Sequence, residues 1–473
     1  MVFADLFFLY IFLPLCLGVY FAVKDLHKKN IVLIAFSLAF YAWGEPIYVL
    51  LLVFSSVMNW FVGLLLERFR DTKLATATLA GGIVINLGLL LVFKYTGFFV
   101  ENINAMFGAS IPVPEIRLPI GISFFTFQAL SYIIDCYWEK VRVQKHYYKF
   151  LLYLSLFPQL IAGPIVRYSV VEEEIDNRKV TVNDICEGAQ RMILGLAKKV
   201  ILANNLYSIV DNFFGNNIAG LSVLGTWFVV IVYSLYVYFD FSGYSDMAIG
   251  LGRMFGFHFD ENFTHPFVCK TIAEFWQRWH ISLGSFFRDY LLYVPILGRS
   301  RKYLNLFLVW FSTGLWHGAS WNYIIWGLYF GGFIFFEQKL GKKTIKSWPI
   351  WWKHIYSKLV IIIGFGIFFF EDLSQLGIFF RNITGISWII GASPLADPMT
   401  WGSFVNNMLL VVAAIVCSLP ILPPVKNFVL NSRNDKIYVI GRYASMAACI
   451  VLLIISSILL VNATNNPFLY FRF

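Results

Sequence analysis

The chain has 473 residues, of which 59% are hydrophobic and only 14% are charged. Soluble domains carry about 45–50% apolar and ~25% charged residues, and disordered chains carry still fewer apolar ones, so both classes are excluded. The net charge of +10 does not indicate nucleic acid as a partner, because an excess of Lys and Arg in a membrane protein reflects topology. The composition predicts an all-α polytopic membrane protein.

Apolar segments long enough to cross a hydrocarbon layer of ~30 Å follow one another along the chain. The first has no basic leader and is interpreted as an uncleaved span. The segments cover residues 2–23, 31–44, 46–66, 74–95, 118–138, 221–239, 303–316, 321–337, 359–370, 404–422 and 443–462. We predict about twelve transmembrane helices, with 185–213 as an ambiguous span.

Two further apolar segments are interrupted. Pro158, Gly163 and Pro164 break 150–166, and 272–297 contains five charged or ionisable side chains: Glu274, Arg278, His280, Arg288 and Asp289. Irregular backbone and charged side chains at membrane depth are tolerated only where protein shields them or where they line a cavity. We therefore predict two re-entrant segments that face the protein interior.

The basic residues test this order of spans. With the N-terminus outside and 185–213 counted as a crossing, nearly every Lys and Arg falls on the cytoplasmic side; those left opposite are Lys94, Arg117, Arg381 and Arg472. Cytoplasmic loops carry such an excess. We expect a single integral domain over 1–473 in the cell (inner) membrane, with both termini extracytoplasmic.

Two of the seven histidines lie in apolar segments, where an ionisable side chain is a functional-site hypothesis. His280 lies among aromatic residues in FWQRWHISLGSFFRDYLLYVP (275–295), and His317 lies in GLWHGASWNYIIWGLYFG (314–331). Histidine can accept and return a proton near neutral pH. A structural hydrogen bond remains an alternative for each. Gly314 and Gly318 favour catalysis at His317, because small neighbours would leave room for a substrate.

Other charged side chains in the apolar segments are candidates to support a cavity or tunnel. They are Asp240, Asp246, Arg278, Arg288 and Asp289, together with the neighbouring Trp316. Internal salt bridges to Arg253 or Arg278 are the alternative explanation for the two aspartates. The sequence has no HxxxH or HExxH motif and no Cys/His cluster, so we expect no metal, and we expect no permanently bound cofactor. The lack of a Walker loop and of a GxSxG elbow argues against ATP-driven transport and ordinary hydrolase chemistry.

Five runs together resemble the membrane-bound O-acyltransferase family, most closely its bacterial branch that serves alginate O-acetylation. They are PIGISFFTFQALSYIIDCYW, FPQLIAGPIVRY, YFDFSGYSDMAIGLGRMFGF and the 275–295 and 314–331 runs quoted above. The resemblance is strongest over residues 40–340, with looser C-terminal helices and a tail at 359–473. It implies a ring of helices around a funnel, acyl transfer to a hydroxyl, His317 as the catalytic histidine and His280 as a second, more variable polar position.

The same resemblance implies the substrates. The donor would be acetyl-CoA or an acyl thioester on a carrier protein, and an extracytoplasmic transferase would pass the group to a cell-surface polysaccharide. Arg299, Arg301 and Lys302 are predicted to attract the donor, although topology alone would also place basic residues there. D-alanyl transfer to teichoic acid, and a transporter or flippase without chemistry, remain open alternatives.

The chain ends in NNPFLYFRF on the side predicted to lie outside. The resemblance extends to a tail motif of bacterial surface O-acylation systems, which makes Tyr470 a candidate acyl carrier. An interfacial aromatic anchor is the alternative, since tyrosine favours the headgroup region.

Overall fold

The computed structural model describes residues 1–215, 218–295, 301–421, 424, 428–429, 435–461 and 468, and every regular element in this part of the chain is helical. The chain divides into two compact units. The first unit comprises 1–192 and 244–261, and the second comprises 193–243 and 262–473. The predicted all-α class is confirmed.

The first unit opens with a π-helical turn, Phe8–Phe12, that continues into α1. Its further helices are α1 (Leu13–Ala22), α2 (Leu26–Gly44), α3 (Val49–Arg68), α4 (Lys73–Phe107), α5 (Ile122–Tyr137), α6 (Tyr147–Ser155), α7 (Phe157–Leu160) and α8 (Tyr168–Asn177). The helix breaks at Leu156, within the predicted interruption, and the Phe157 N–H donates to Ser37 Oγ at 3.1 Å. A side-chain oxygen thus replaces a lost helical acceptor.

Two long helical stretches belong partly to each unit along the chain. One joins α9 (Val182–Ala197), a π-helical segment Lys198–Ala203 and α10 (Asn204–Phe214); the other is α11 (Val223–Met254). The predicted second interruption is divided into α12 (Ile272–Trp276), α13 (Ile281–Phe287) and a π-helical turn, Arg288–Leu292.

The rest of the second unit is again helical. Its elements are α14 (Lys302–His317), α15 (Trp321–Ser347), α16 (Ile350–Phe369), α17 (Leu373–Ile383), α18 (Ile386–Ile389), α19 (Pro398–Ser418) and α20 (Asp435–Val461). Inside α15, Gly341 has φ 79° and ψ 154°, which breaks the helix at that point. Only glycine adopts this conformation without strain.

Seven helices of the described chain are long and apolar enough to cross a membrane. They are Val49–Arg68, Lys73–Phe107, Val182–Phe214, Val223–Met254, Ile350–Phe369, Pro398–Ser418 and Lys436–Val461. The ambiguous segment 185–213 is among them. The predicted number of about twelve is not reached by this criterion, partly because α5 and α14 have 16 residues each, fewer than the ~20 that a span needs.

Glycines bring α14 and α15 into backbone contact. A Cβ on Gly314 would overlap the carbonyl oxygen of Tyr323, and a Cβ on Gly327 would overlap the carbonyl oxygen of Trp310. Small residues allow membrane helices this close approach. The crossing fixes the C-terminal end of α14, and with it His317, against α15.

Candidate active site

His317 is the last residue of α14 and is only 6% exposed. Three rings contact its imidazole edge-on, with centroid distances of 4.8 Å to Trp326, 5.0 Å to Trp316 and 5.2 Å to Phe368. Edge-to-face aromatic pairs at such distances are favourable. Trp326 comes from α15 and Phe368 from α16. We call these three rings the aromatic cage of His317.

The glycines beside His317 serve helix packing. Gly314 faces the α15 backbone, as described above, and a Cβ on Gly318 would overlap the ring of Tyr323. The α15 helix therefore already fills the space on this side. The expectation that these glycines leave room for a substrate is wrong, because one sequence cannot show which neighbour a small residue faces.

His280 immediately precedes α13 and is 2% exposed. Its φ of 45° and ψ of 54° are left-handed values, which cost a residue with a side chain roughly 1–3 kcal/mol. Asn262 holds this turn: its carbonyl accepts the Ile281 N–H at 3.0 Å, and its side chain accepts the Ser282 hydroxyl at 2.9 Å. The Ser282 N–H also donates to the Asn262 side chain at 3.2 Å, so three hydrogen bonds to Asn262 hold the strained backbone at His280.

The imidazole of His280 lies in apolar surroundings. Phe263 and Phe241 lie 6.2 and 6.4 Å from it between ring centroids, and Ser282 Oγ is 3.5 Å from its Nδ1. His280 lies outside the seven candidate spans, and burial lowers its pKa to about 3. The imidazole is therefore neutral at physiological pH.

Trp316 contacts both histidines. Its ring centroid lies 5.8 Å from that of His280 and 5.0 Å from that of His317, and the residue is 2% exposed. The structure therefore brings together three residues that the sequence singled out, although they come from two separate segments of the chain.

Two buried indole N–H groups lie in the same region of the second unit. Trp326 belongs to the aromatic cage, and Trp276 packs edge-on against it with ring centroids 5.6 Å apart. Neither Nε1–H has a hydrogen-bond partner among the described residues. An unpaired buried donor costs about 1–3 kcal/mol, so a ligand carbonyl or oxyanion would be favoured here.

A buried ion pair lies elsewhere in the second unit. Lys199 Nζ is 2.5 Å from Asp240 Oδ1, and the two side chains are 2% and 1% exposed. The ring of Phe468, itself buried, lies 4.6 Å from the same ammonium group. Asp240 thus takes part in a buried ion pair.

The predicted pairing of Asp240 and Asp246 with Arg253 or Arg278 is wrong. Asp240 pairs with the lysine just described. Asp246 belongs to the first unit and pairs there with Arg191 at 2.9 Å. Both partners come from the helical stretch Val182–Phe214, and the sequence separation gives no indication of this packing.

The two arginines instead pair with other acidic residues. Arg253 pairs with Asp184 at 3.4 Å and with Glu187 at 2.5 Å in the first unit. Arg278 pairs with Glu274 at 3.0 Å, four residues earlier in the chain. Arg278 lies just beyond the end of α12, so this pair forms between residues close in sequence and needs no long-range packing.

The remaining predicted residues lie at the surface or outside the described chain. Arg288 and Asp289 pair with each other at 2.8 Å, and the Arg288 side chain is 54% exposed. Arg301 and Lys302 are exposed at the start of α14. The other two, Arg299 and Tyr470, lie outside the described residues.

The described residues hold no group of three His, Cys, Asp or Glu side chains placed to bind a metal ion. The polar groups near His317 are instead its own imidazole and the indole N–H of Trp326, with Trp276 reached through Trp326 and a second imidazole reached through Trp316. An imidazole beside fixed hydrogen-bond donors suits proton transfer to and from a reacting hydroxyl.

The model of the membrane-bound O-acyltransferase family matches residues 122–379, more than half of the chain. The chain belongs to this family. Both histidines and the aromatic cage lie inside the matched region. The protein is therefore an O-acyltransferase, and its apolar helices make it a multi-pass membrane protein.

Several relatives resemble this acyltransferase over most of its length. A probable alginate O-acetylase of Azotobacter vinelandii is 39% identical over 79% of this chain and 76% of its own. The peptidoglycan O-acetyltransferase of Helicobacter pylori is 36% identical over 68% of each chain. The teichoic acid D-alanyltransferase of Bacillus subtilis is 29% identical over 60% of this chain and 76% of its own.

The sequence did not single out Trp276, Trp326 or Asn262. A tryptophan in an apolar segment predicts packing, and whether its N–H is paired depends on tertiary contacts. The sequence did carry a signal for the buried ion pair: Lys199 is a charged side chain inside an otherwise apolar segment, and such a side chain predicts a buried partner.

Proposed function

We propose that this acyltransferase takes an acetyl group from cytoplasmic acetyl-CoA and supplies it for O-acylation of a cell-surface polysaccharide. The observation that carries the proposal is the contact of Trp316 with two buried histidines in a chain of this family. Acetyl is favoured over D-alanyl because the relatives named as O-acetylating enzymes show higher identity over more of the chain.

The proposed step uses His317 as general base. A thioester is already activated, so positioning and proton transfer suffice. The hydroxyl oxygen forms a bond to the acyl carbon, the carbon–sulfur bond breaks, and coenzyme A leaves as a thiol. His317 takes the hydroxyl proton and returns it to the departing sulfur, so the step has no net proton change.

His280 has a different role in this proposal. With a pKa lowered to about 3, its imidazole is a weak base at neutral pH. We therefore propose that His280 positions the Trp316 ring, which in turn contacts His317. The strained turn held by Asn262 fixes the place of His280 relative to that ring.

The indole donors complete the proposed chemistry. Charge develops on the acyl oxygen as the tetrahedral intermediate forms, and fixed donors in a dry site stabilise such an oxyanion strongly. Trp326 and Trp276 offer two buried N–H groups for this oxygen. Their rings are held by packing, so they need little reorganisation when the charge appears.

The direction of transfer rests on the distribution of charge. The Lys and Arg asymmetry supports a cytoplasmic donor side and extracytoplasmic termini. A separate extracytoplasmic transferase would then deliver the acyl group to the polymer. We include Tyr470 as the carrier between them, because a phenolate is a better leaving group than a sugar alkoxide. Burial of Phe468, two residues earlier, supports approach of the tail to the interior of the second unit.

The test is His317→Ala in purified protein reconstituted into liposomes, with radiolabelled acetyl-CoA as donor and a D-alanyl thioester in a parallel assay. We expect transfer to fall by a factor of about 10²–10⁴, the usual contribution of a general base. His27→Ala, at an exposed histidine, is the matched control.

Unchanged transfer by a normally folded His317→Ala variant would refute the catalytic assignment. Transfer of the D-alanyl group alone by the wild type would select the teichoic acid alternative. Passage of the acyl donor across the membrane, unaffected by His317→Ala and without any acyl product, would indicate a transporter.

A further inference from the structure

A cavity of about 580 Å³ lies in the second unit, bordered by α12, α14, α15 and α16. Its volume is within the range of small-molecule sites, roughly 300–1,000 Å³. Five lysines line it: Lys270, Lys302, Lys342, Lys346 and Lys353. We call it the lysine cavity. The charge asymmetry assigns all five lysines to the cytoplasmic side.

The five lysines of the lysine cavity form no ion pair with the described protein. No described carboxylate lies within 4.0 Å of any of the five ammonium groups. Like charges at close range repel one another, and each charge needs a counter-charge when water is displaced. The cavity therefore favours an anion.

The two acids of the cavity lining already have partners. Glu337 accepts the backbone N–H groups of Ile272 and Ala273 and the hydroxyl of Tyr356. Glu274 pairs with an arginine at 3.0 Å, as described above. The charge of Glu274 is balanced by that arginine, whereas Glu337 has only neutral donors and can offset one lysine, so the five lysines leave an excess of positive charge.

Local structure directs these lysines into one space. The break at Gly341 separates the following helical turn from the rest of α15, and Lys342 and Lys346 lie on one face of that turn at i,i+4 spacing. Lys353, from α16, donates its Nζ to the Lys346 carbonyl at 2.9 Å. The cluster therefore belongs to an ordered turn, with one lysine held by a specific hydrogen bond.

We propose that the lysine cavity binds a phosphate-bearing ligand. Lysine is a common point-charge partner of phosphate, and several lysines match a group with more than one negative charge. Two sources share this chemistry: the phosphates of the coenzyme A donor and the headgroup of an anionic phospholipid. The donor source rests on the proposed function, whereas the phospholipid source does not.

The position of the cavity favours the donor source. Lys302 and His317 are the first and last residues of the 16-residue helix α14, so they are separated by about 22 Å along it at ~1.5 Å per residue. A donor whose phosphates bind at one end of α14 must extend its thioester arm along this helix to reach the imidazole. Coenzyme A has its phosphates and its thioester at opposite ends of such an arm.

The experiment compares two lysine pairs in full-length protein in nanodiscs. Lys342→Gln with Lys346→Gln removes two charges from the cavity. Lys339→Gln with Lys343→Gln removes two exposed charges at the same spacing from the same helix, and neither residue lines the cavity. Binding of coenzyme A is measured by calorimetry, and retention of phosphatidylglycerol is measured by native mass spectrometry.

We expect the cavity pair to weaken binding of one probe about tenfold, with a salt-dependent effect, and the control pair to leave both probes unchanged. Weaker coenzyme A binding identifies the donor as the source, and weaker phosphatidylglycerol retention identifies the lipid. If both pairs weaken binding equally, or neither does, the proposal is overturned. Lys270→Gln with Lys353→Gln repeats the test if the first cavity pair unfolds.

The outcome can be separated from that of the proposed function. Protein with His317→Ala is expected to bind coenzyme A normally, because the histidine lies at the other end of α14. Loss of transfer with retained coenzyme A binding supports the catalytic assignment, and weakened binding by the cavity pair supports the lysine cavity. The two results can therefore be interpreted independently of each other.

Discussion

Lys199→Met provides a direct test of how the interior of the second unit is held together. The ammonium group and the Asp240 carboxylate are 2.5 Å apart and almost completely buried. At an effective dielectric constant of about 20, their attraction is roughly 7 kcal/mol. Desolvation of the two ions costs several kcal/mol each, so the net stabilisation from the pair is small.

Removing one partner has a much larger effect than removing both. Lys199→Met leaves a buried carboxylate without its counter-ion, which costs about 3–5 kcal/mol. Changing Asp240→Leu in addition removes the uncompensated charge, so the double variant should return close to the wild type. Methionine approximates the length of the lysine stem and fills the same space, so the substitution leaves little cavity and little destabilisation from that source.

The assay is thermal unfolding in detergent, followed by size-exclusion chromatography of the heated samples. At ~2 °C per kcal/mol for a large domain, Lys199→Met should lower the Tm by roughly 6–10 °C. Lys343→Met, at an exposed lysine, should leave the Tm unchanged. If the double variant is as unstable as the single variant, packing rather than charge controls this site and the reasoning is refuted.

Three further predictions follow from the site. Trp326→Phe removes one N–H and keeps an aromatic ring, so kcat should fall about 10²-fold with little change in KM, whereas Trp310→Phe should leave kcat nearly unchanged; equal effects would indicate a packing role. Tyr470→Phe should abolish acetylation of the surface polymer, and mass spectrometry should find a tail peptide heavier by one acyl group in the wild type and not in the variant. Full acetylation by the variant would show that Tyr470 is an interfacial anchor. The Tm difference between wild type and His280→Gln should be constant above pH ~6.5 and fall as pH drops towards 3, because the unfolded histidine binds a proton there and the buried one does not; a flat difference would contradict the depressed pKa.

The sequence predicted the class of fold well because composition and apolar run length are local properties. The breaks within 150–166 and 272–297 followed from proline, glycine and charge in the same way. Helix limits were less accurate: α4 extends to Phe107, far beyond the predicted end at residue 95. Polar residues at a helix end remain helical when solvent or interface can satisfy them, so hydropathy marks the apolar part of a helix and not its full length.

The site required tertiary contacts that no spacing rule supplies. His280 and His317 were singled out because an ionisable side chain in an apolar segment is rare, whereas the contact of Trp316 with both depends on how their separate segments pack. The glycine beside His317 and the partner of Asp240 were assigned wrongly for one physical reason. Which surface a side chain faces depends on the helix packed against it, and a single sequence does not contain that information.

In the proposed mechanism, the burial of His317 also determines which nucleophile can use it as a base. A thioester is hydrolysed whenever an activated water reaches its carbonyl, so a transferase must exclude water and admit one hydroxyl. The aromatic cage leaves 6% of His317 exposed, and the second histidine is 2% exposed and neutral. A base enclosed in this way activates water poorly, because few water molecules can lie beside it. The same apolar rings strengthen the hydrogen bonds that indole donors make to a developing oxyanion, because a low dielectric constant increases the attraction between the N–H group and the negative charge. In the proposed mechanism, selectivity for transfer over hydrolysis and stabilisation of the intermediate would thus come from the same aromatic residues around one imidazole.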